Sequence, residues 1–382
     1  MKTSTTFKAT AGVLAALTVA GVAAWIYQLM GGLGVTGMNN GTSWGLYITM
    51  FMFFVGLSAG GLIISSIPRA FGMQGFGGIS KVAVWTSICC TVLAIGFVVV
   101  DLGQPLRVWE LFAYSNLGSP LMWDIVVLFV YLILSAVYLW ATLRAEAGKV
   151  SQRALRAVSV VALVCAVLVH SVTAWIFGLQ QAHEFWHTAI LAPWFVSSAL
   201  VCGTALVLVV AIALRRAGYL SLDQSYVVKL VKMLGAFVVV DLYFFGCDLL
   251  TAGFPGGSGA EVVGMLVSGP LAPFFWTEVA GCALAAVVCF VYVVLIRRDR
   301  LIPKREAPKY LGAVCETAGQ FAYIYAIADT EHLAMSAPII SSYCAASVLW
   351  SRLFLKEKLS WKHYAMIALV VIGIAIMGVF DL

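Results

Sequence analysis

A chain of 382 residues in which 62% are hydrophobic and only 10% are charged is not a water-soluble domain, where charged residues make up about 25%. Lipid offers no partner to unpaired backbone groups, so the mean hydropathy of +1.00 and the long apolar runs predict an all-α, polytopic transmembrane helical bundle. The net charge of +6 comes from basic loops between the apolar runs and gives no support for nucleic-acid binding.

About eleven apolar runs follow one another, each near the ~20 residues that a helix needs to cross the hydrocarbon core. If every run crosses, all Lys and Arg residues except Arg107 lie on one side. Cytoplasmic loops carry the basic excess, so the N-terminus is predicted to be cytoplasmic, and we call the opposite side outer. The first run is predicted to be a retained helix and not a cleaved signal peptide. The predicted spans are residues 10–30, 45–67, 82–101, 121–141, 154–179, 188–214, 227–253, 270–296, 310–328, 333–351 and 361–380.

Ionisable side chains within these spans are candidates for function, because a charge at mid-membrane costs about 2.5–3.5 kcal/mol or more. Structural roles explain some of them equally well. Asp101 can pair with Arg107 at the interface, and His170 can hydrogen-bond a neighbouring helix. The candidates, all in the outer half or near the middle, are Asp101, Asp124, His170, Asp241, Asp248 and Glu278.

The hairpin between the fifth and sixth spans concentrates polar residues at the outer side. It contains His183, Glu184 and His187 within a few positions. This concentration makes the hairpin a candidate part of a site, although a solvated loop explains it as well.

Aromatic and small residues lie near the same side. Trp44, Tyr47 and Trp123 fit the aromatic belt of a membrane interface, and they also fit the wall of a ligand pocket. Ser58 and Gly60, in FFVGLSAGG, belong to a small-residue pattern that permits close helix approach. The same pattern leaves room for a flat ring.

Metal cofactors are not predicted within the chain. The nine cysteines include no C-x-x-C pair and are interpreted as small packing residues, so neither an Fe–S cluster nor a zinc site is expected. A haem held by two histidines needs a pair within the spans, and only His170 lies well inside one. We therefore expect no haem.

An outer pocket of carboxylates, a histidine and aromatic rings suits a quinol. Its two hydroxyl groups lose protons as its electrons leave, and a histidine or carboxylate nearby accepts them. Because no redox centre is predicted in the chain, the electrons would pass to another subunit docked on the outer face.

Five long segments together resemble one family. They are WGLYITMFMFFVGLSAGG (44–61), DLGQPLRVW (101–109), SPLMWDIVVLFVYLILSAVYLW (119–140), HSVTAWIFGLQQAHEFWHTAILAPWFVSSALVCG (170–203) and LAPFFWTEVAGC (271–282). With these segments the chain is similar to the NrfD/PsrC family, the membrane subunits of polysulfide reductase type, over about residues 10–298. The resemblance implies a haem-free, quinone-reactive anchor in the bacterial cytoplasmic membrane, not catalytic alone, that exchanges electrons with an Fe–S subunit bound to a molybdopterin catalytic subunit.

The end of the chain departs from that family. We predict a quinone-reactive domain at residues 1–298, a basic linker at 299–309 and a three-helix tail at 310–382. The tail resembles the closing helices of an EamA-type drug/metabolite transporter. A small-molecule transporter of that type is therefore the alternative function, although three spans are too few for that family's ten-helix pathway.

The resemblance and the residue pattern together assign the site. The predicted proton acceptors for menaquinol or another quinol are His170, Asp248, Glu278 and Asp124. The predicted quinone pocket consists of Trp44, Tyr47, Ser58, Gly60, Asp101, Arg107 and Trp123.

Overall fold

A computed structural model of the chain describes residues 5–39, 44–71, 77–181 and 185–301, with scattered positions between 360 and 373. The chain divides into two compact units, Met1–Asp299 and Arg300–Leu382. The first unit holds nearly all of the described residues. The predicted linker and tail fall almost wholly outside the described residues, and so do the three spans predicted there.

The described part of the first unit is helical, and eight of its helices are long and apolar enough to cross a membrane. They confirm the first eight predicted spans, with boundaries that differ by a few residues. A short helix, α4, lies between α3 and α5, and α9 lies between α8 and α10. The helices are α1 (Thr5–Gly31), α2 (Leu46–Ala70), α3 (Gly77–Asp101), α4 (Glu110–Ala113), α5 (Pro120–Glu146), α6 (Gln152–Gly178), α7 (Leu191–Arg216), α8 (Gln224–Gly253), α9 (Gly257–Val267) and α10 (Ala272–Val291), which continues as a π-helical turn (Tyr292–Ile296).

Local sequence signals set the ends of several helices. Pro120 occupies the first turn of α5, where its missing N–H is not needed. The Ser151 hydroxyl caps α6 by accepting a hydrogen bond from the backbone N–H of Ala154 at 3.2 Å, which satisfies one free donor of the first turn. Gly148 follows α5 with φ of 71°, the left-handed conformation that commonly ends a helix.

Helix α2 is the centre of the bundle and packs against α3, α6 and α7. Its close approach to α7 depends on two glycines. A Cβ atom on Gly60 would overlap the carbonyl oxygen of Ala199, and one on Gly203 would overlap the Gly60 backbone. The small-residue pattern around Gly60 therefore serves helix packing.

A buried hydroxyl cluster joins α2, α3 and α5. The Ser58 hydroxyl lies 2.7 Å from that of Thr91 and 3.0 Å from those of Ser87 and Tyr131. The Tyr131 hydroxyl also donates to the backbone carbonyl of Ser58 at 2.9 Å. Buried polar groups are costly unless they are paired, so the cluster fixes how these three helices are rotated against each other.

Helices α8 and α10 flank the bundle on the α7 side: α8 packs against α7, and α10 packs against α8. The short helix α9 contacts both of them. The bundle therefore has a core of α2, α3, α5, α6 and α7, which α8, α9 and α10 extend on the α7 side.

Candidate functional site

A cavity of about 290 Å³ lies where the outer ends of α2, α3, α5 and α6 meet. We call it the outer cavity. Asp101 and Asp124 are the ionisable residues of its wall, and the remaining side chains of that wall are apolar or aromatic. Its lining consists of Trp44, Ile48, Phe51, Ile95, Val98, Val99, Asp101, Leu102, Val108, Leu111, Phe112, Leu121, Asp124, Ile125, Leu128, Phe129, Ile176 and Phe177.

Asp124 enters the cavity from the second turn of α5. Its side chain is buried, and its Oδ1 accepts a hydrogen bond from the hydroxyl of Thr173, on α6, at 2.6 Å. That separation is within the ordinary range of an O–H···O hydrogen bond. The Thr173 hydroxyl also lies 2.9 Å from the carbonyl oxygen of Val169, one turn back along α6. Helix α6 thus holds the Asp124 carboxylate in place at the cavity wall.

Asp101 reaches the cavity from the last residue of α3. Its Oδ1 is buried and has no hydrogen-bond partner among the residues that the structure describes. A buried acceptor without a partner is costly, and such atoms in native structures mark strain or a missing ligand or water. This oxygen is therefore positioned to receive a hydrogen bond from a molecule in the cavity.

Aromatic rings form the outer part of the wall. The Trp44 ring lies edge-on to Phe177, with 5.3 Å between centroids, and is stacked on Trp186 at 6.2 Å. Phe177 in turn lies edge-on to Trp186 at 5.4 Å. Because aromatic contacts favour particular ring orientations, Trp186 supports Trp44 and Phe177, which line the outer cavity.

A second, more polar cavity of about 560 Å³ adjoins the first. The two share a wall of five apolar residues, Leu102, Val108, Leu111, Leu121 and Ile125. Arg107 and Glu110 line the second cavity and form a bidentate ion pair, with both N–O distances 2.8 Å. The pairing raises the pKa of Arg107 and lowers that of Glu110, chiefly through these hydrogen bonds. In place of the predicted interface pairing with Asp101, Arg107 thus stabilises the turn before α5.

His170 lies deeper than the outer cavity and does not line it. The residue is one turn from Thr173 on α6, about 4.5 Å further along the helix axis. Its ring packs against Gly56 of α2 and lies 5.5 Å from the Phe195 ring. Within the described part of the chain its Nδ1 has no hydrogen-bond partner. His170 is thus a neighbour of the Asp124–Thr173 pair.

Four other residues predicted for the pocket lie elsewhere. Ser58 belongs to the hydroxyl cluster, and Gly60 to the crossing of α2 and α7. The Tyr47 hydroxyl donates to the side-chain oxygen of Gln28 at 2.5 Å, which links α2 to α1. The indole N–H of Trp123 donates to the carbonyl of Leu117 at 2.6 Å.

The carboxylates of α8 and α10 form a separate group. Asp241 accepts a hydrogen bond from Ser197 at 2.8 Å and interacts electrostatically with Glu278. Asp248 is buried further along α8. None of these three carboxylates lines the outer cavity, so the predicted proton acceptors do not form one cluster. Of the outer hairpin, His183 and Glu184 lie outside the described residues.

Among the residues that were not singled out in the sequence, Thr173 positions Asp124 and Phe177 lines the cavity. Thr173 lies three residues after His170, on the same face of the helix, so the spacing alone could have marked it. Phe177 lies a further turn along the same face of α6, so the same spacing could have identified it. What the sequence could not indicate is that this face of α6 meets Asp124.

Over the described ranges, no three His, Cys, Asp or Glu residues are grouped so as to hold a metal ion. The expected absence of haem and Fe–S clusters stays a prediction, since part of the chain is not described.

The outer cavity can therefore bind a flat apolar molecule with hydroxyl groups. Its walls suit a ring, and its two carboxylates suit the acceptance of hydrogen bonds or protons. Trp44 adds one N–H donor at the edge.

A comparison with protein families gives a match over most of the chain. The profile of the family described as "Polysulphide reductase, NrfD" matches residues 34–327. The matched region covers α2 to α10, including the whole outer cavity. It also extends past residue 298, the boundary expected from the sequence, into the first span of the predicted tail.

Three curated proteins are similar over much of the chain. One from Halobacterium salinarum, provisionally named as a membrane subunit of dimethyl sulfoxide reductase, is 38% identical over 61% of this chain and 58% of its own length. The Hdr-like menaquinol oxidoreductase integral membrane subunit of Archaeoglobus fulgidus is 26% identical over 69% and 65%. The C component of the Wolinella succinogenes polysulfide reductase is 24% identical over 64% and 82%. The chain thus spans less than two thirds of the length of the first two.

Proposed function

Because the chain belongs to the polysulphide reductase NrfD family, we propose that it is the quinone-interacting membrane subunit of a respiratory oxidoreductase. The outer cavity is its quinone site. The observation that carries this proposal is the placement of Asp101 and Asp124 in one otherwise apolar cavity, edged by Trp44.

The volume of the cavity and the polarity of its wall both fit a quinone ring. Small-molecule sites are mostly apolar, with a few polar groups that fix orientation, and they begin at about 300 Å³. A quinone or quinol exchanges two protons together with two electrons, and carboxylates within hydrogen-bond reach serve as acid and base. In this proposal Asp124 and Asp101 are the proton-exchanging groups, and Thr173 positions Asp124.

Partners follow from the same proposal. Two of the relatives are named as membrane subunits of a reductase and of an oxidoreductase. In this proposal, electrons pass between the quinone and a docked Fe–S subunit, itself bound to a molybdopterin catalytic subunit. The membrane is the bacterial cytoplasmic membrane, and menaquinone or another quinone is the substrate.

The transporter alternative rests on the tail, residues 310–382, and on the number of predicted spans. The tail lies almost wholly outside the described residues, so this alternative stays a prediction.

The first test is purification of the protein from its native membrane in mild detergent, followed by mass spectrometry. Fe–S and molybdopterin subunits are expected to co-purify. The complex is then assayed for electron exchange between a short-tail quinone and the partner's redox centres, in both directions. A protein that purifies alone and exchanges no electrons would overturn the proposal.

The second test locates the site. Asp124→Asn is expected to lower electron exchange about ten-fold or more, the range of a general acid–base group being roughly 10²–10⁴-fold. Asp248→Asn, outside the cavity, is expected to have a smaller effect. Glu146→Gln is the matched control, because Glu146 pairs with Lys81 at the other end of the bundle. A full loss with Asp248→Asn and none with Asp124→Asn would move the site to α8.

A further inference from the structure

Gln28, near the outer end of α1, is a buried polar residue that lies outside the wall of the outer cavity. The family profile matches the chain from residue 34 onward, so the match gives Gln28 no role. On the basis of the proposed function, we infer that Gln28 is a positioning residue of the quinone site. It holds the α2 and α3 walls of the outer cavity together from behind.

Helix α1 is exposed along almost all of its length. From Lys8 to Gly31 its side chains are exposed, apart from Trp25, which is half-buried, and Gln28, of which only 2% is exposed. A side-chain amide buried to this extent needs hydrogen-bond partners. Gln28 therefore marks the place where α1 is fastened to the bundle.

The Gln28 amide is hydrogen-bonded to two different helices. Its Oε1 accepts from the hydroxyl of Tyr47, on α2, at 2.5 Å. Its Nε2 donates to the carbonyl oxygen of Val100, on α3, at 3.0 Å. The last carbonyls of a helix have no partner within it, and α3 ends at Asp101, so Gln28 caps the end of α3. An amide suits this place because it carries both a donor and an acceptor.

Both partners of Gln28 lie directly beside residues of the cavity wall. Tyr47 precedes Ile48, and Val100 precedes Asp101; Ile48 and Asp101 line the outer cavity, whereas Tyr47 and Val100 do not. Gln28 thus joins the α2 wall to the α3 wall on the side that faces away from the cavity. The separation of these two walls depends on a residue that does not contact a ligand within them.

A second contact fixes the same end of α3. Gly103, which follows Asp101 by two residues, has φ of 65°, and a Cβ atom there would overlap the side chain of Leu33. Leu33 comes directly after α1, in the turn Leu33–Thr36. Asp101 therefore lies between two points at which α1 and the residues after it hold the backbone.

The position of Asp101 matters for the proposed proton exchange. A general acid or base must lie within hydrogen-bond reach of the proton that it transfers, and a misplacement of about 1 Å can cost up to about 10²-fold in rate. Loss of the Gln28 amide would release the carbonyl of Val100 and allow the end of α3 to move. The wall carrying Asp101 would then lose its fixed distance from α2.

The experiment measures electron exchange between the assembled complex and a short-tail quinone, menadione or menadiol according to the direction in which the complex runs. Initial rates are recorded over a range of quinone concentrations, and thermal unfolding is recorded in parallel. Gln28→Leu removes both hydrogen bonds and is expected to raise the KM for the quinone about five-fold or more. A residue that only fastened α1 would change the amount of active complex, and so the apparent kcat, without changing KM.

Two further variants identify the cause. Tyr47→Phe removes the α2 hydrogen bond alone and is expected to raise KM about three-fold. In the Gln28→Leu background the same change is expected to have no further effect, because the bond is already absent. Thr18→Val is the control on α1, since the exposed Thr18 hydroxyl donates to the carbonyl of Leu14 in the same helix at 2.9 Å. It should change neither KM nor kcat.

An unchanged KM in Gln28→Leu would overturn the positioning role, even if kcat or the thermal midpoint falls. A Tyr47→Phe effect of undiminished size in the Gln28→Leu background would also overturn it, because Tyr47 would then act on its own. If Gln28→Leu does not assemble, Gln28→Met, unbranched and of similar length, decides by the same criterion. These outcomes leave the quinone site standing. If the unaltered complex exchanges no electrons with the quinone, the proposed function and the role of Gln28 are both wrong.

Discussion

The hydroxyl of Thr173 lies 2.6 Å from Oδ1 of Asp124. The same hydroxyl lies 2.9 Å from the carbonyl oxygen of Val169, and its single proton cannot serve both acceptors fully. When Asp124 is ionised, Thr173 donates to it. When Asp124 is protonated on that oxygen, the direction reverses, and Thr173 accepts from Asp124 while donating to Val169. The contact persists in both states, so Thr173 positions the carboxyl group throughout a proton cycle.

Thr173→Val is therefore expected to lower quinone-dependent electron exchange in the assembled complex by about ten-fold, since a hydrogen bond to a charged group contributes ~1.5–3 kcal/mol. Thr173→Ser, which keeps the hydroxyl, should restore most of the rate. Thr204→Val is the matched control, because Thr204 is equally buried and its hydroxyl has no hydrogen-bond partner in the described structure. Equal rates for the two valine variants would remove Thr173 from the site.

The sequence predicted the first eight spans and singled out two residues of the candidate site, for separate reasons. Apolar runs of sufficient length must be helices in lipid, so the first eight spans were determined by composition. Asp101 and Asp124 could be singled out because placing a charged side chain within a membrane span costs free energy. Span order does not show which helix faces meet, and this is why Asp248 and Glu278 were grouped with Asp124 although α8 and α10 lie outside the cavity wall.

Small and polar residues inside helices were harder to interpret than the spans. In the sequence, Gly60 and Ser58 fit a packing contact and also leave room for a ligand. In the structure, Gly60 lies against the backbone of α7 and Ser58 is hydrogen-bonded to three neighbouring hydroxyls. Only the positions of the neighbouring helices distinguish these two roles, and their part in quinone binding stays a prediction.

Gly60→Ala is expected to destabilise the bundle strongly. The added methyl group would overlap the Ala199 carbonyl oxygen, so α2 and α7 must separate, and overpacking typically costs about 1–3 kcal/mol or more. Gly96→Ala on α3 is the control, because its Cβ would meet nothing within 4 Å. Thermal unfolding in detergent should show a lower midpoint for Gly60→Ala alone. A normal midpoint would contradict the close crossing of α2 and α7.

Tyr131→Phe is expected to lower the thermal midpoint by a few degrees without changing the helix content. The Tyr131 hydroxyl lies within 3.0 Å of Ser58 and Ser87, and removing it leaves buried partners unsatisfied, which costs about 1–3 kcal/mol. Tyr219→Phe is the control, because Tyr219 is exposed in the loop after α7. Circular dichroism reports helix content, and melting followed by fluorescence reports the midpoint. Equal midpoints for the two variants would show that the cluster adds nothing to stability.

The Arg107–Glu110 pair should make α4 sensitive to acid. Arg107 holds the pKa of Glu110 below its ordinary value of 4.5, so the stabilisation is complete above that value and is lost as the pH falls through the lowered pKa. Hydrogen exchange of the amides of Leu111, Phe112 and Ala113 measures this, compared at each pH with Glu110→Gln to cancel intrinsic exchange. At pH 7 the unaltered protein should exchange about two-fold more slowly, the modest effect of an exposed pair.

The ratio of the exchange rate of Glu110→Gln to that of the unaltered protein should stay constant from pH 8 to about pH 5. It should approach one in stronger acid, since the carboxylate of an ion pair loses its effect only when protonated. High salt at pH 7 should reduce it in the same way, because exposed charges are screened. Glu146→Gln should leave the exchange of α4 unchanged. A ratio that instead changes between pH 6 and pH 8 would show that another group controls the turn, because neither Arg107 nor Glu110 titrates there.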